Sequence, residues 1–161
     1  MIKIYFDMDG TVADFYSQEN WLEMLRNETA GAFAFCKPLF DENSFYLLIS
    51  DLAEKGAQFG VITWLPMQAS RSYELICEIE KQNWCETYLP FISTFAAQSY
   101  GIPKQNAITK NAQLEILIDD NAEICKMWET RKRRKAYQVT KNYTVTDILC
   151  DIYDEYFYGV E

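Results

Sequence analysis

The stretch that most constrains this chain is its beginning. Ile2-Lys3-Ile4-Tyr5-Phe6 is an apolar run of strand-forming residues, and it stops at Asp7-Met8-Asp9-Gly10-Thr11. Such a run is fit for a buried strand. Residues two apart on a strand point to the same side, so Asp7 projects beyond the strand's C-terminal end. Asp9 opens the turn, where Gly10 supplies a backbone freedom that a Cβ would forbid. Open α/β sheets bind their ligands at this edge. Two carboxylates held there repel each other without a cation. The pattern therefore asks for a divalent, oxygen-preferring ion, most naturally Mg²⁺.

The rest of the chain supplies the sheet this strand belongs to. Apolar periodicity and turn signals predict helices over 17–28, from Asp41 or Asn43 to 55, and over 67–82, 122–130 and 147–158. Further strands are predicted over 58–63, 89–95, 114–118 and 136–139, with a loop over 99–111. Strands alternating with helices imply a doubly wound, Rossmann-like α/β domain on a parallel sheet of about five strands. No internal repeat or linker divides residues 1–161, which read as a single domain. Residues 14–40 carry Gly31, Pro38 and the aromatics Phe15, Trp21, Phe33 and Phe35. They read as an excursion off the sheet, a small cap inserted after the first strand.

Composition narrows the chemistry. The chain of 161 residues is 49% hydrophobic and 24% charged, and its formal charge is −9. A polymeric nucleic acid needs a broad basic face, so none is expected as a partner. No apolar run approaches the ~20 residues that span a bilayer. The N-terminus lacks a signal-peptide pattern. Five cysteines form no Cys-x-x-Cys pair, which fits free thiols in a reducing cytoplasm. There is no histidine. Chemistry here falls to carboxylates, Lys, Ser/Thr or Cys. The basic run 131–135 reads as a solvated helix C-terminus that leads into a surface turn.

Four polar features lie at or just past predicted strand ends: Asp7/Asp9, Thr63, Lys104 and Asp119/Asp120. A parallel sheet gathers all C-terminal strand ends on one edge, so these converge. They suit phosphoryl transfer, in which a carboxylate attacks phosphorus and an acid protonates the leaving oxygen. A hydroxyl and an ammonium hold the phosphate, and acidic residues hold a metal. Each close pair of like charges costs about 4 kcal/mol at an effective dielectric near 20, so an anion can enter only beside a cation.

In this order the motifs resemble those of the haloacid dehalogenase superfamily. Asp7-Met8-Asp9-Gly10-Thr11-Val12-Ala13-Asp14-Phe15 is similar to the opening of its 5′(3′)-deoxyribonucleotidase-like branch, which has bacterial and phage members. Tyr100-Gly101-Ile102-Pro103-Lys104 and Ile116-Leu117-Ile118-Asp119-Asp120-Asn121 resemble the same group.

The resemblance implies an Mg²⁺-dependent phosphomonoesterase acting through an aspartyl-phosphate. Asp7 is then the nucleophile and a metal ligand. Asp9 is the general acid/base and binds the metal through its backbone carbonyl. Thr63 and Lys104 hold phosphate, with Lys110 as the rival lysine. Asp119 and Asp120 complete the metal site, Asp120 being favoured as the direct ligand. The expected substrate is a small phosphate ester, foremost a nucleoside monophosphate. Phe15, Trp21, Phe33 and Trp64 are the candidates for contact with a base.

Two departures bear on specificity. Trp64 stands where that branch more often has a small polar residue, and the excursion is short. Alternatives are sugar phosphates, polynucleotide ends, or a phosphate-binding module without turnover. Two-component receiver domains place the acidic pair on the first strand, unlike this chain.

Overall fold

The structure is a computed structural model, and it describes residues 1–108 and 112–158. Five strands make one all-parallel sheet: β1 (Ile2–Phe6), β2 (Gln58–Trp64), β3 (Thr94–Gln98), β4 (Leu114–Asp119) and β5 (Arg134–Gln138). Their order is β3-β2-β1-β4-β5, which puts the first strand at the centre. The register aligns Phe6 with Val61 on one side and with Ile118 on the other. One more ladder bond, from Asp7 N–H to the Ile118 carbonyl at 2.8 Å, carries β1 to the sheet's edge.

Strand alternation sorts the core into two layers. Ile4, Phe6, Val61, Ile116 and Ile118 face one side. There they meet α2 (Glu42–Glu54), α3 (Arg71–Tyr88) and α5 (Val145–Tyr156). Tyr5, Ile62 and Leu117 face the other side, covered by α4 (Ala122–Glu129) through Ile124 and Trp128. The helices start where side-chain caps permit. Asp41, Ser70, Asn121 and Thr144 each accept a backbone N–H of the first turn, Thr144 in a reciprocal capping box with Asp147.

Element types follow the sequence-based expectation, and several boundaries move. The third strand begins at Thr94, not at 89. Leu89 is buried as the cap of α3, and Phe91 and Ile92 pack on the core from the turn between. A short apolar run cannot be assigned to strand or turn by periodicity alone. Helix α3 runs on to Tyr88, while α1 is only Trp21–Arg26. The basic run also departs from expectation. Arg131, Lys132 and Arg133 are exposed, but Arg134 is the first residue of β5 and is buried.

The excursion after β1 leaves and returns at one place. Asp14 N–H donates to the Lys37 carbonyl and Leu39 N–H to the Val12 carbonyl, at 2.8 and 2.9 Å. Between these points it is fastened to α3. Glu80 accepts the backbone N–H groups of Gly31 and Phe33 at 2.5 and 3.1 Å. Tyr73 and Trp84 donate to the carbonyls of Thr29 and Cys36 at 3.0 and 2.7 Å. Among the described residues, no helix is long and apolar enough to cross a membrane.

Candidate metal and phosphate site

The turn after β1 is wound around one acceptor. The Met8 carbonyl takes the N–H groups of Thr11, Val12 and Ala13 within 3.2 Å, while buried Met8 and Val12 anchor the loop below. Gly10 has φ +79°, and a Cβ there would lie 2.7 Å from both Asp120 Oδ2 and Tyr16 Cε2. Glycine is required twice over, by backbone conformation and by space.

Strand β4 delivers Asp119 to the same edge, and Asp120 follows it. Carboxylate oxygens of Asp7, Asp119 and Asp120 lie within 4.8 Å of one another, close enough to share one ion. Asp119 Oδ1 also accepts the Asn121 N–H at 2.9 Å, while the Asn121 side chain caps α4. The aspartate pair is thus held rigidly between a strand end and a helix start.

Lys104 enters from the opposite side, on a single 3-10 turn (Lys104–Ala107) that follows Pro103. Its ammonium is buried and bridges Asp7 Oδ1 at 2.5 Å and Asp119 Oδ2 at 2.6 Å. Burial alone would lower its pKa, but the two carboxylates outweigh that and raise it. Lys110, the other lysine singled out in the sequence, lies outside the described residues.

The acids respond to crowding as expected. Burial, then the neighbouring Asp7, pushes Asp119 up to about 6 despite Lys104. Burial, Asp7 and Asp119 push Asp120 up to about 7. Asp9 is raised too, by burial against the pull of Lys81.

Lys81 is the residue that the sequence reading missed. It projects from α3 and has no exposed surface, yet it carries a charge. Its ammonium donates to Asp9 Oδ2 at 2.5 Å and to Thr63 Oγ1 and the Trp64 carbonyl, each at 2.9 Å. The ring of Phe33 lies 4.4 Å away. A signal was present in the sequence. Tyr73, Cys77, Trp84 and Cys85 form the buried stripe of α3, and Lys81 falls on that stripe, four residues after Cys77.

The expected residues therefore separate into two groups. Asp7, Asp9, Lys104, Asp119 and Asp120 line one cavity of about 520 Å³. Phe15, Trp21, Phe33 and Trp64 line it as well, together with Tyr16 and Tyr100. Phe33 is largely given to the core, stacked on Phe15 at 4.6 Å. Trp64 is fixed by its indole N–H on the Ile102 carbonyl at 2.7 Å. Thr63 stands apart: it is wholly buried behind the cavity wall, with its hydroxyl on Lys81. The Asp9 carboxylate likewise turns to Lys81 and leaves the acidic triad to Asp7, Asp119 and Asp120.

The charge balance favours a cation. Among the described residues, Asp7, Asp9 and Asp119 are ion-paired with Lys81 and Lys104, and Arg26 also lines the cavity, so with Asp120 four formal negative charges meet three positive ones. The donors of the triad are all oxygen, which suits a hard divalent ion. No protein-family model matches the chain, and no curated protein matches it either.

Proposed function

We propose that this protein is a Mg²⁺-dependent phosphomonoesterase of the haloacid dehalogenase type, acting on small phosphate esters such as nucleoside monophosphates. One observation carries the reading. A buried lysine ties the aspartate at the end of the central strand to the aspartate at the end of its neighbour, and a third carboxylate stands beside them at the mouth of a cavity. Acids with raised pKa values cluster at functional sites, and open α/β sheets bind their ligands at this edge.

In this proposal Asp7 Oδ attacks phosphorus and forms an aspartyl-phosphate as the ester oxygen leaves. Asp9 protonates that oxygen and then takes the proton of the water that releases phosphate. Lys104 is already on Asp7, where it neutralises the nucleophile and the incoming phosphoryl oxygens. Asp7, Asp119 and Asp120 are the side chains that would hold the metal, with the Asp9 backbone carbonyl as a further ligand. Bound there, the ion supplies Lewis-acid stabilisation of phosphoryl charge. Thr63 acts through Lys81 on Asp9, not on phosphate directly, because it does not reach the cavity. The excursion walls the cavity with Trp21 and Tyr16, and Trp64 and Tyr100 close it from the sheet side. Flat aromatic surface beside a phosphate site fits a nucleobase.

The test is phosphate release from a panel of nucleotides, sugar phosphates and p-nitrophenyl phosphate, with Mg²⁺ and with EDTA. Hydrolysis that requires Mg²⁺ and favours nucleoside monophosphates is the expected result. No hydrolysis of any ester, or full activity after chelation, removes the reading. Sugar phosphates cleaved as well as nucleotides would remove only the substrate class.

A further inference from the structure

At the edge of the sheet opposite the acidic site, where β4 and β5 begin, lies a second cavity of about 620 Å³. It is lined by Arg131, Lys132, Arg133 and Arg134, with Gln113 and Glu115 beside them. Four consecutive cations against one carboxylate is an unusual concentration in a chain of net charge −9.

Arg134 makes this more than a solvated patch. Its side chain is 2% exposed. Its Nε donates to Glu115 Oε2 at 2.7 Å, and its guanidinium lies 4.4 Å from the Trp128 ring. Both terminal nitrogens, Nη1 and Nη2, are buried without a hydrogen-bond partner among the described residues. Those two nitrogens carry four of the five N–H donors of the group. Buried donors are nearly always satisfied, and an ion or water is the usual partner where protein supplies none. Next to it, Arg133 is held at φ +65°, a conformation that costs a non-glycine residue energy and recurs at binding sites.

We propose that this basic cavity binds a phosphorylated small molecule through its phosphate. The exposed heads of Arg131, Lys132 and Arg133 are the groups that reach phosphate oxygens, and the Arg134 guanidinium, closed to solvent behind them, adds positive charge to the cavity wall. The size suits a small ligand. A polymer would need a basic track extending beyond one run of four residues. The six residues of β4 separate the cavity from Asp119 by roughly 17 Å, so a ligand here is not the ester held at the acidic edge. The proposal stands independently of any phosphatase activity.

The experiment is an amide NMR titration of the ¹⁵N-labelled full chain with inorganic phosphate and then pyrophosphate. EDTA is present throughout, and ionic strength is held constant with KCl. Saturable shifts at Gln113–Glu115 and Arg131–Arg134 with one shared Kd are expected, pyrophosphate binding the tighter. The triple substitution Arg131→Ala/Lys132→Ala/Arg133→Asn should weaken binding at least tenfold; Asn tolerates the left-handed backbone at that position. Lys132→Glu alone, at an exposed site, serves if the triple variant does not fold and should weaken binding in the same direction. Shifts that stay linear, that arise only at the acidic edge, or that are as strong in the variants overturn the site.

Discussion

Replacing Lys81 with methionine removes a buried charge at nearly constant volume, and its cost can be worked from the contacts. The ammonium has no solvent exposure, and three acceptors depend on it: Asp9 Oδ2, Thr63 Oγ1 and the Trp64 carbonyl. The other oxygen of Asp9, Oδ1, is already buried without a partner among the described residues. Lys81→Met therefore strands a carboxylate with no compensation on either oxygen, close to the charge of Asp7. Breaking a buried pair by removing one partner costs roughly 3–5 kcal/mol. In a domain of this size each kcal/mol lowers the melting temperature by about 2–4 °C, so a fall of roughly 6–20 °C is expected. Adding Asp9→Asn to Lys81→Met should recover a large part of it, since a neutral amide tolerates an apolar neighbour better. Thermal unfolding followed by circular dichroism measures all four proteins of the cycle. A Lys81→Met variant that melts within a degree or two of the parent would refute the reasoning, as would a double variant no more stable than the single one.

Other consequences are cheaper to check. Gly10→Ala should cost about 1–2 kcal/mol in backbone conformation alone, and its Cβ should push Asp120 aside, so Mg²⁺ affinity by calorimetry should fall with stability. Asp119 and Asp120 have folded-state pKa values raised to about 6 and about 7, so the metal-free native state holds protons that the unfolded chain has released. Their contribution to stability therefore declines as pH rises from the ordinary carboxylate range to about 7. A cation that needs both ionised should bind more tightly over that same rise; Mg²⁺ affinity that is flat from below pH 6 to above pH 7 would contradict this assignment. Trp21→Ala should raise KM for nucleoside monophosphates by roughly five- to 150-fold, a loss of ~1–3 kcal/mol per base stack, while leaving KM for glycerol phosphate nearly unchanged in steady-state kinetics.

Much of this was legible because the strongest signals were local. The apolar runs of β1, β2 and β4 end in polar residues, and parallel pairing carries those ends to one edge whatever the lengths of the connecting helices. Asp7, Asp119 and Asp120 could be grouped on that basis alone, whereas Lys104, on a turn past the end of β3, needed the motif resemblance as well. The direction in which a buried side chain turns could not. Thr63 sits at its expected strand end, yet it faces α3 and not the cavity, because the lysine that claims its hydroxyl lies 18 positions further along the chain. Lys81 itself resembles an ordinary surface residue between Glu80 and Gln82; only its place on the apolar stripe of α3 betrays it. Arg134 was misread for the opposite reason. Its neighbours 131–133 are exposed, and strand pairing with Glu115 draws the fourth residue of the run inward.

The central claim is that Asp7 is a nucleophile toward phosphorus. Its most direct test is to quench the Mg²⁺-loaded protein in acid during turnover of p-nitrophenyl phosphate, reduce it with borohydride and map the product by mass spectrometry. An acyl phosphate at Asp7 would be converted to homoserine at that position, and Asp7→Asn should abolish both the conversion and the burst of p-nitrophenol. Undiminished hydrolysis by Asp7→Asn, or a reduced carboxylate at another position, would contradict the account.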